Sequence, residues 1–376
     1  MHCRLHRRKC AGALLLLLAV ALLGGGGGLL LLLLSGSSSS SAADGSRIRD
    51  LRGSPRDMRL AAYANNARQP LLNAELFPGP PRLVLAVQAR GGAGAAARLR
   101  PLLESLRRAE EPGRLLLIVS MGRPSVEAAA LLRSVRFCPV LQLFFPYSLS
   151  FYPAEFPGPE PGCGAARRCR DAAAAQEKHH WWWKLRFVWE KVRALGGYDG
   201  PVLFLPDDAY LLPDFARVLR LLEALREPGG AELLSLGPGP PGPLPADLSG
   251  ARAERGAWDP ARHRGAVALH RELYYALMGC LQAFCSHGDR RWERSLRHVA
   301  AAACLPRPLT VLSPLLPRLL LPPCEGCEPQ GALRARLFPA SLSLQSRPPS
   351  PEEEEEEEGG WDDVRDQALC KAYAKL

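Results

Sequence analysis

Two short stretches carry most of the polar chemistry in this chain. The first is KHHWWWKLRFVWEKV, residues 178–192, in which Lys178, His179 and His180 stand directly before three tryptophans. The second is VLFLPDDAYLLPDF, in which Asp207 and Asp208 follow an apolar run. Adjacent carboxylates at such a point suit a divalent cation that bridges phosphates, because ligands of open α/β sheets collect at the carboxyl ends of the strands. The bland alternative is a solvated turn, since Pro-Asp-Asp is ordinary turn chemistry. Trp181, Leu185, Val188, Val192 and Leu195 recur at spacings of 4, 3, 4 and 3, one face of a helix, with Trp182 and Trp189 in a second row. A buried core helix explains most of the tryptophans. It leaves Lys178, His179 and His180 at the helix N-terminal end, where a lysine and two histidines suit an anion such as a diphosphate.

Those groups need a scaffold. RLVLAV (82–87), RLLLIVS (114–120) and PVLQLFF (139–145) read as buried strands. AAARLRPLLESLRRAEE (95–111) has leucines at helical spacing, broken only by Pro101, and SVEAAALLRSV (125–135) opens on Ser125 with a partial capping box. PVLFL (201–205) and AELLSL (231–236) add two strands. Strand, helix, strand, helix, strand implies a parallel sheet with covering helices. The expected fold class is therefore α/β, near the doubly wound type.

The 376 residues carry a net charge of +10 despite seven glutamates at 352–358. The basic residues are scattered, with no zinc-finger spacing and no basic run interleaved with aromatics, so nucleic acid is not an expected partner. Residues 1–10 are short and basic and read as a cytoplasmic tail. Residues 11–34 are continuously apolar, about 36 Å as a helix, enough to span a bilayer. The positive N-terminal flank predicts a type II signal-anchor, and a cleaved signal peptide is the alternative. The polar, low-complexity start of 35–81 reads as a flexible stem. Eleven cysteines are present, nine of them beyond the anchor. In an oxidising lumen an odd count leaves at least one free thiol, and Cys138, inside an apolar run, is the best candidate. A zinc site at Cys324-x-x-Cys327 lacks a second pair, and no N-glycosylation sequon occurs.

CPVLQLFFPYSLSFYPAEFPG, KHHWWWKLRFVWEKV, LFLPDDAYLLPDF and GGWDDVRDQALCKAY resemble the N-acetylglucosaminyltransferase II family. The resemblance runs from about residue 82 to the end, with 346–360 as an acidic low-complexity insertion. It implies a GT-A, Rossmann-like glycosyltransferase domain over 82–376 behind a signal-anchor and stem, anchored in the Golgi membrane with the domain lumenal. It implies UDP-GlcNAc as donor, Mn²⁺ as cofactor, and inverting transfer in β1,2 linkage to the α1,6-arm mannose of an N-glycan on a glycoprotein. Carried residue by residue, it places a metal ligand at Asp208 with Asp207 beside it. It places donor contacts at Gln88, Ala89 and Arg90 after the first strand and at Gln176, Glu177, Lys178, His179 and His180. The catalytic carboxylate is Glu293, where the family has an aspartate. The family's nucleotide-contacting aspartate and metal-binding histidine fall on Gly122 and Leu321. The implied disulfides are Cys163–Cys169, Cys280–Cys304, Cys285–Cys370 and Cys324–Cys327, with Cys138 free. A homodimer or a complex with another Golgi transferase fits this layout. The competing reading is a Golgi paralogue that kept the fold, lost catalysis and binds glycans or other transferases.

Overall fold

The computed structural model describes residues 53–161, 170–227, 232–237, 249–263, 265–321, 331–347 and 359–375. The expected anchor, the first part of the stem, the acidic run and Cys163, Cys169, Cys324 and Cys327 lie outside the described residues. No helix among the described residues is long and apolar enough to cross a membrane. All that follows concerns one unit, within Ile48–Leu376.

The strands, in chain order, are β1 (Leu71–Leu72), β2 (Leu83–Ala89), β3 (Leu115–Met121), β4 (Val140–Phe144), β5 (Val202–Pro206), β6 (Tyr210–Leu211), β7 (Glu232–Ser235), β8 (Arg252–Ala257), β9 (Val267–Leu269), β10 (Thr310–Pro314), β11 (Leu319–Leu320) and β12 (Ser343–Ser346). Ten of them form one sheet in the order β1-β4-β3-β2-β5-β9-β7-β10-β8-β12. The run β4-β3-β2-β5 is parallel throughout. Beyond it β9 is antiparallel to both β5 and β7, and β10 runs parallel to β7 and antiparallel to β8. The sheet is thus mixed: the expected parallel half is present, and the distal half is not wound that way. From β2 the chain steps outward through β3 to β4, and it returns to lay β5 on β2's other side. That reversal makes a switch point at the carboxyl ends of β2 and β5.

The central strands bury both faces, and their residues alternate between two cores. Leu83, Leu85 and Val87 of β2 join one core, while Val84 and Ala86 join the other. The first core is covered by the helices Ala95–Arg107, Val126–Ser134 and Phe215–Ala224, and the second by Ala172–Lys191 and Arg271–Gly279. The expected helix at 95–111 stops at Arg107.

The tryptophan-rich helix begins earlier than its pattern suggested. Asp171 caps it by accepting hydrogen bonds from the Ala173 and Ala174 N–H groups, and alanine is the strongest helix former. Lys178, His179 and His180 therefore sit in the helix interior, not at its N-terminal end. The helix ends at Lys191, so Val192 and Leu195 of the expected face lie beyond it, although both are buried.

The folded domain also starts before residue 82. Helix Pro55–Arg68, within the expected stem, packs on the edge of the sheet. There Asn66 donates to the Phe144 carbonyl and accepts from the Phe144 N–H, at 2.7 and 2.9 Å. One asparagine thus satisfies both backbone groups of an edge residue.

Candidate functional site at the switch point

Gln88 and Ala89 end β2, and Arg90 follows directly. Pro206 ends β5, and Asp207 and Asp208 follow. The pairing Gln88↔Pro206 brings the two ends level. Asp207 is fully buried. Its Oδ2 accepts from the Arg90 N–H at 3.2 Å and from Arg98 Nε at 3.1 Å, and its Oδ1 accepts from Arg90 Nη2 at 3.3 Å. Arg90 Nη2 also donates to Asp208 Oδ2 at 2.6 Å. Burial works against the Arg90 charge, but Asp207 and Asp208 outweigh it and hold the guanidinium more firmly protonated than usual.

Two adjoining cavities open here. One, of about 200 Å³, is walled by Gln88, Arg90, Glu177, Trp181, Lys184, Asp207, Asp208, Gly265, Trp292 and Glu293 among others. The other, of about 290 Å³, shares Gln88, Arg90 and Glu177 and adds Arg98, Arg123, Gln176 and His180. Gln88 donates to the Glu177 carbonyl at 3.2 Å. Its Oε1 is buried with no hydrogen-bond partner among the described residues. An acceptor left so in a cavity wall is available to a ligand N–H or O–H. Glu293, in the first turn of helix Trp292–Ala301, is mostly buried, with Oε2 3.7 Å from Arg291 Nε.

Most of the expected residues thus meet. Gln88, Arg90, Gln176, Glu177, His180, Asp207, Asp208 and Glu293 all line one or both cavities. Ala89 contributes backbone, its carbonyl accepting from the Gly122 N–H at 2.7 Å. Lys178 and His179 face elsewhere. Lys178 Nζ donates to the Asp289 and His287 carbonyls at 2.8 and 3.1 Å and lies 4.2 Å from the centre of the Trp361 ring. His179 bridges Asp366 and Tyr373 at 2.8 and 3.1 Å. On a helix, successive residues point about 100° apart, so only His180 of the three reaches the cavity side. It pairs with Ser120 Oγ at 2.7 Å and stacks on Phe145. Burial, with the Lys184 ammonium nearby, pushes its pKa well below the ordinary value, so the ring is neutral.

Arg98, Arg123 and Lys184 were not anticipated. Arg98 and Arg123 reach the site from separate loop and helix segments, which spacing does not reveal. Lys184 did leave a signal, being a charge one helical turn from His180 on the buried face.

A divalent cation asks for several oxygen or nitrogen ligands. Among the described residues, no three His, Cys, Asp or Glu side chains gather where they could hold one. Both aspartates are already engaged by arginines. β6 pairs with β11, with Leu320 opposite Tyr210, and Leu321 follows β11, its Cδ1 3.9 Å from where a Cβ on the cavity-lining Gly265 would stand. A hydrocarbon side chain there offers no ligand. As arranged, these residues do not fit a divalent cation. The Gly122 position is tight: a Cβ there would lie 3.2 Å from the Arg90 carbonyl oxygen, so the loop would have to give by a few tenths of an ångström. Two of the expected disulfides are present, Cys280–Cys304 and Cys285–Cys370, and Cys138 is buried and free.

The sequence pattern of the N-acetylglucosaminyltransferase II (MGAT2) family matches residues 59–167 and 165–370. The chain is 35% identical over 368 residues to the alpha-1,6-mannosyl-glycoprotein 2-beta-N-acetylglucosaminyltransferase of Rattus norvegicus, covering 85% of this chain and 80% of the rat protein. It is 33% identical over 374 residues to the enzyme of the same name from Homo sapiens, covering 85% and 79%. A solved mannosyltransferase from Pyrobaculum calidifontis, in complex with GDP-Man and Mn²⁺, superposes with a TM-score of 0.32 at 13% identity over 71% of this chain and 67% of its own, too slight to carry an argument.

Proposed function

The chain belongs to the N-acetylglucosaminyltransferase II family, and we propose from that premise that its switch-point cavities transfer GlcNAc from UDP-GlcNAc to an N-glycan. The product linkage is β1,2 on the mannose of the α1,6 arm, formed with inversion, and the scaffold is of the GT-A type. The observation that carries the reading is the placement of Glu293 in the same cavity wall as Asp207, Asp208 and Arg90. The acceptor hydroxyl attacks the anomeric carbon, its proton passes to the Glu293 carboxylate, and the bond to the diphosphate breaks with its electron pair leaving on UDP. Gln88, Gln176 and His180 bind and orient the donor, with Gln88 Oε1 free to accept from it. No step is assigned to a divalent cation.

A lumenal, Golgi-membrane location with residues 11–34 as anchor belongs to the same proposal. The two disulfides support it, because such bonds persist in oxidising compartments. The non-catalytic alternative has no observation of its own. The test is transfer from UDP-GlcNAc to an acceptor glycan bearing a free α1,6-arm mannose. Glu293→Gln is expected to lower kcat roughly 10²–10⁴-fold, the range for general base removal, while calorimetric UDP binding persists. A Glu293→Gln enzyme as fast as its parent would remove Glu293 from the mechanism.

A further inference from the structure

We infer that this chain holds the diphosphate of its donor with guanidinium groups, Arg90 foremost, in place of a divalent cation; the inference rests on the transferase reading above. Arg90 occupies the position a bridging cation would need. Its Nη2 lies 3.3 Å from Asp207 Oδ1 and 2.6 Å from Asp208 Oδ2, and its own N–H is 3.2 Å from Asp207 Oδ2. A metal ion could reach the buried Asp207 only by displacing contacts between full charges, which are the stronger kind of hydrogen bond, and at Asp208 it would meet the Arg90 guanidinium already on Oδ2. It would then find the hydrocarbon of Leu321 beside Gly265 of the cavity wall, with nothing to donate. The charges already balance, with Arg90 and Arg98 set against Asp207 and Asp208.

The arginine nonetheless keeps capacity for a ligand. Its side chain is 52% exposed and forms part of both cavity walls. Its Nη1 donates to nothing among the described residues, whereas Nε and Nη2 face the aspartates. A guanidinium matches phosphate oxygens with a planar fork, and one held by carboxylates is aimed before the ligand arrives. The backbone holds it too. Gly91 has φ +73°, and a Cβ there would meet the Arg123 carbonyl oxygen at 1.9 Å, so only glycine lets the loop turn this tightly after Arg90. The same contact brings Arg123, an exposed second cation, to the larger cavity. When the bond to the anomeric carbon breaks, the electron pair left on the diphosphate oxygen meets these fixed charges. Arginine stays protonated throughout, so no proton moves to or from it.

The test is calorimetric binding of UDP to the full chain in EDTA and in Mn²⁺. Comparable affinity in the two conditions is expected. Arg90→Ala should weaken UDP binding in EDTA roughly tenfold to hundredfold, the loss of a charge-assisted contact. Because that variant leaves Asp207 short of a partner and could fail to fold, Arg90→Lys and the exposed Arg123→Ala serve beside it, each expected to weaken binding in EDTA by roughly three- to tenfold. Asp208→Asn releases Arg90 from one carboxylate and should strengthen binding in EDTA. UDP binding that appears only with Mn²⁺ and vanishes in Asp208→Asn would overturn the guanidinium proposal and leave the transferase intact. No UDP binding in either condition would overturn both.

Discussion

Lys184 is buried, and its pKa is lowered to about 7 by burial alone, with no carboxylate near enough to compensate. Its folded value lies below its unfolded one, so between about 7 and 10.5 the unfolded chain binds more protons than the folded chain. Stability therefore rises with pH across that window, and below it the full burial penalty applies. Lys184→Met should raise the denaturation midpoint at pH 6.5 and flatten the rise toward pH 9. The same change should lower affinity for UDP, because the ammonium faces the cavity that holds Asp207 and Glu293. A variant that gains stability and keeps UDP affinity would make Lys184 a packing residue only. At this scale the sequence revealed single motifs well. Asp207 and Asp208 could be placed because a buried strand ends just before them. The resemblance places Arg90 at the site, but its pairing with the aspartates and the arrival of Arg98 were not legible, since the two arginines are eight residues apart in a glycine- and alanine-rich stretch with no period of its own.

At the scale of elements, the helix Ala172–Lys191 links core to chemistry. Trp181 is 3% exposed and stacks on Trp292 at 4.1 Å with the rings 7° apart. Trp292 is the residue before Glu293, so that stack backs the proposed base. Trp182 is equally buried but stacks on Phe284 at 4.0 Å and lines neither cavity. Truncating either to alanine should cost about 3–5 kcal/mol in a urea titration, as for other buried aromatics. Only Trp181→Ala should also lower kcat of the folded enzyme with KM for the donor little changed. Equal kcat losses in the two variants would mean that the stack does not position Glu293. The helix was legible because its apolar residues keep a helical period. Its start was not, because Ala172–Ala175 carry no amphipathic pattern and only Asp171 marks the cap. The parallel half of the sheet could be read from buried runs separated by helices. The antiparallel insertion of β9 could not, since VAL in Val267–Leu269 is too short to stand out.

Across the whole molecule, the C-terminal segment packs against the helix that carries Gln176 and His180. Trp361 is fully buried and donates from Nε1 to the Cys285 carbonyl at 2.8 Å. Asp366 is buried too, accepting from Arg170 Nη2 at 2.6 Å and from His179 Nε2 at 2.8 Å. Burial pushes the Asp366 carboxyl up, but its bonds to His179 and Arg170 prevail and hold it below the ordinary range. Its contribution to stability is present above the unfolded value and is lost as pH falls through the folded one. The helix bearing Asp366, Val364–Ala372, is covalently tied by Cys285–Cys370 across 85 residues. His179 belongs to the same helix as Gln176 and His180, so tail docking and cavity geometry share one rigid element. A bridge over that loop stabilises by about 4–5 kcal/mol in the chain-entropy account. Cys370→Ser should therefore lower the thermal midpoint by several degrees, roughly the conversion for a chain of this size, and should steepen loss of transfer on acidification. With the bridge gone, protonation of Asp366 weakens the charged tie between tail and helix, leaving only the Tyr373 hydroxyl on His179 and Arg186 on the Ala374 carbonyl among the described polar contacts. The parent should lose transfer less steeply, because its tail stays attached after Asp366 is neutralised. Thermal melts and transfer rates from pH 7 down to the onset of acid unfolding, for parent and Cys370→Ser, decide the matter. Superimposable acid profiles would show that the tail does not govern the site.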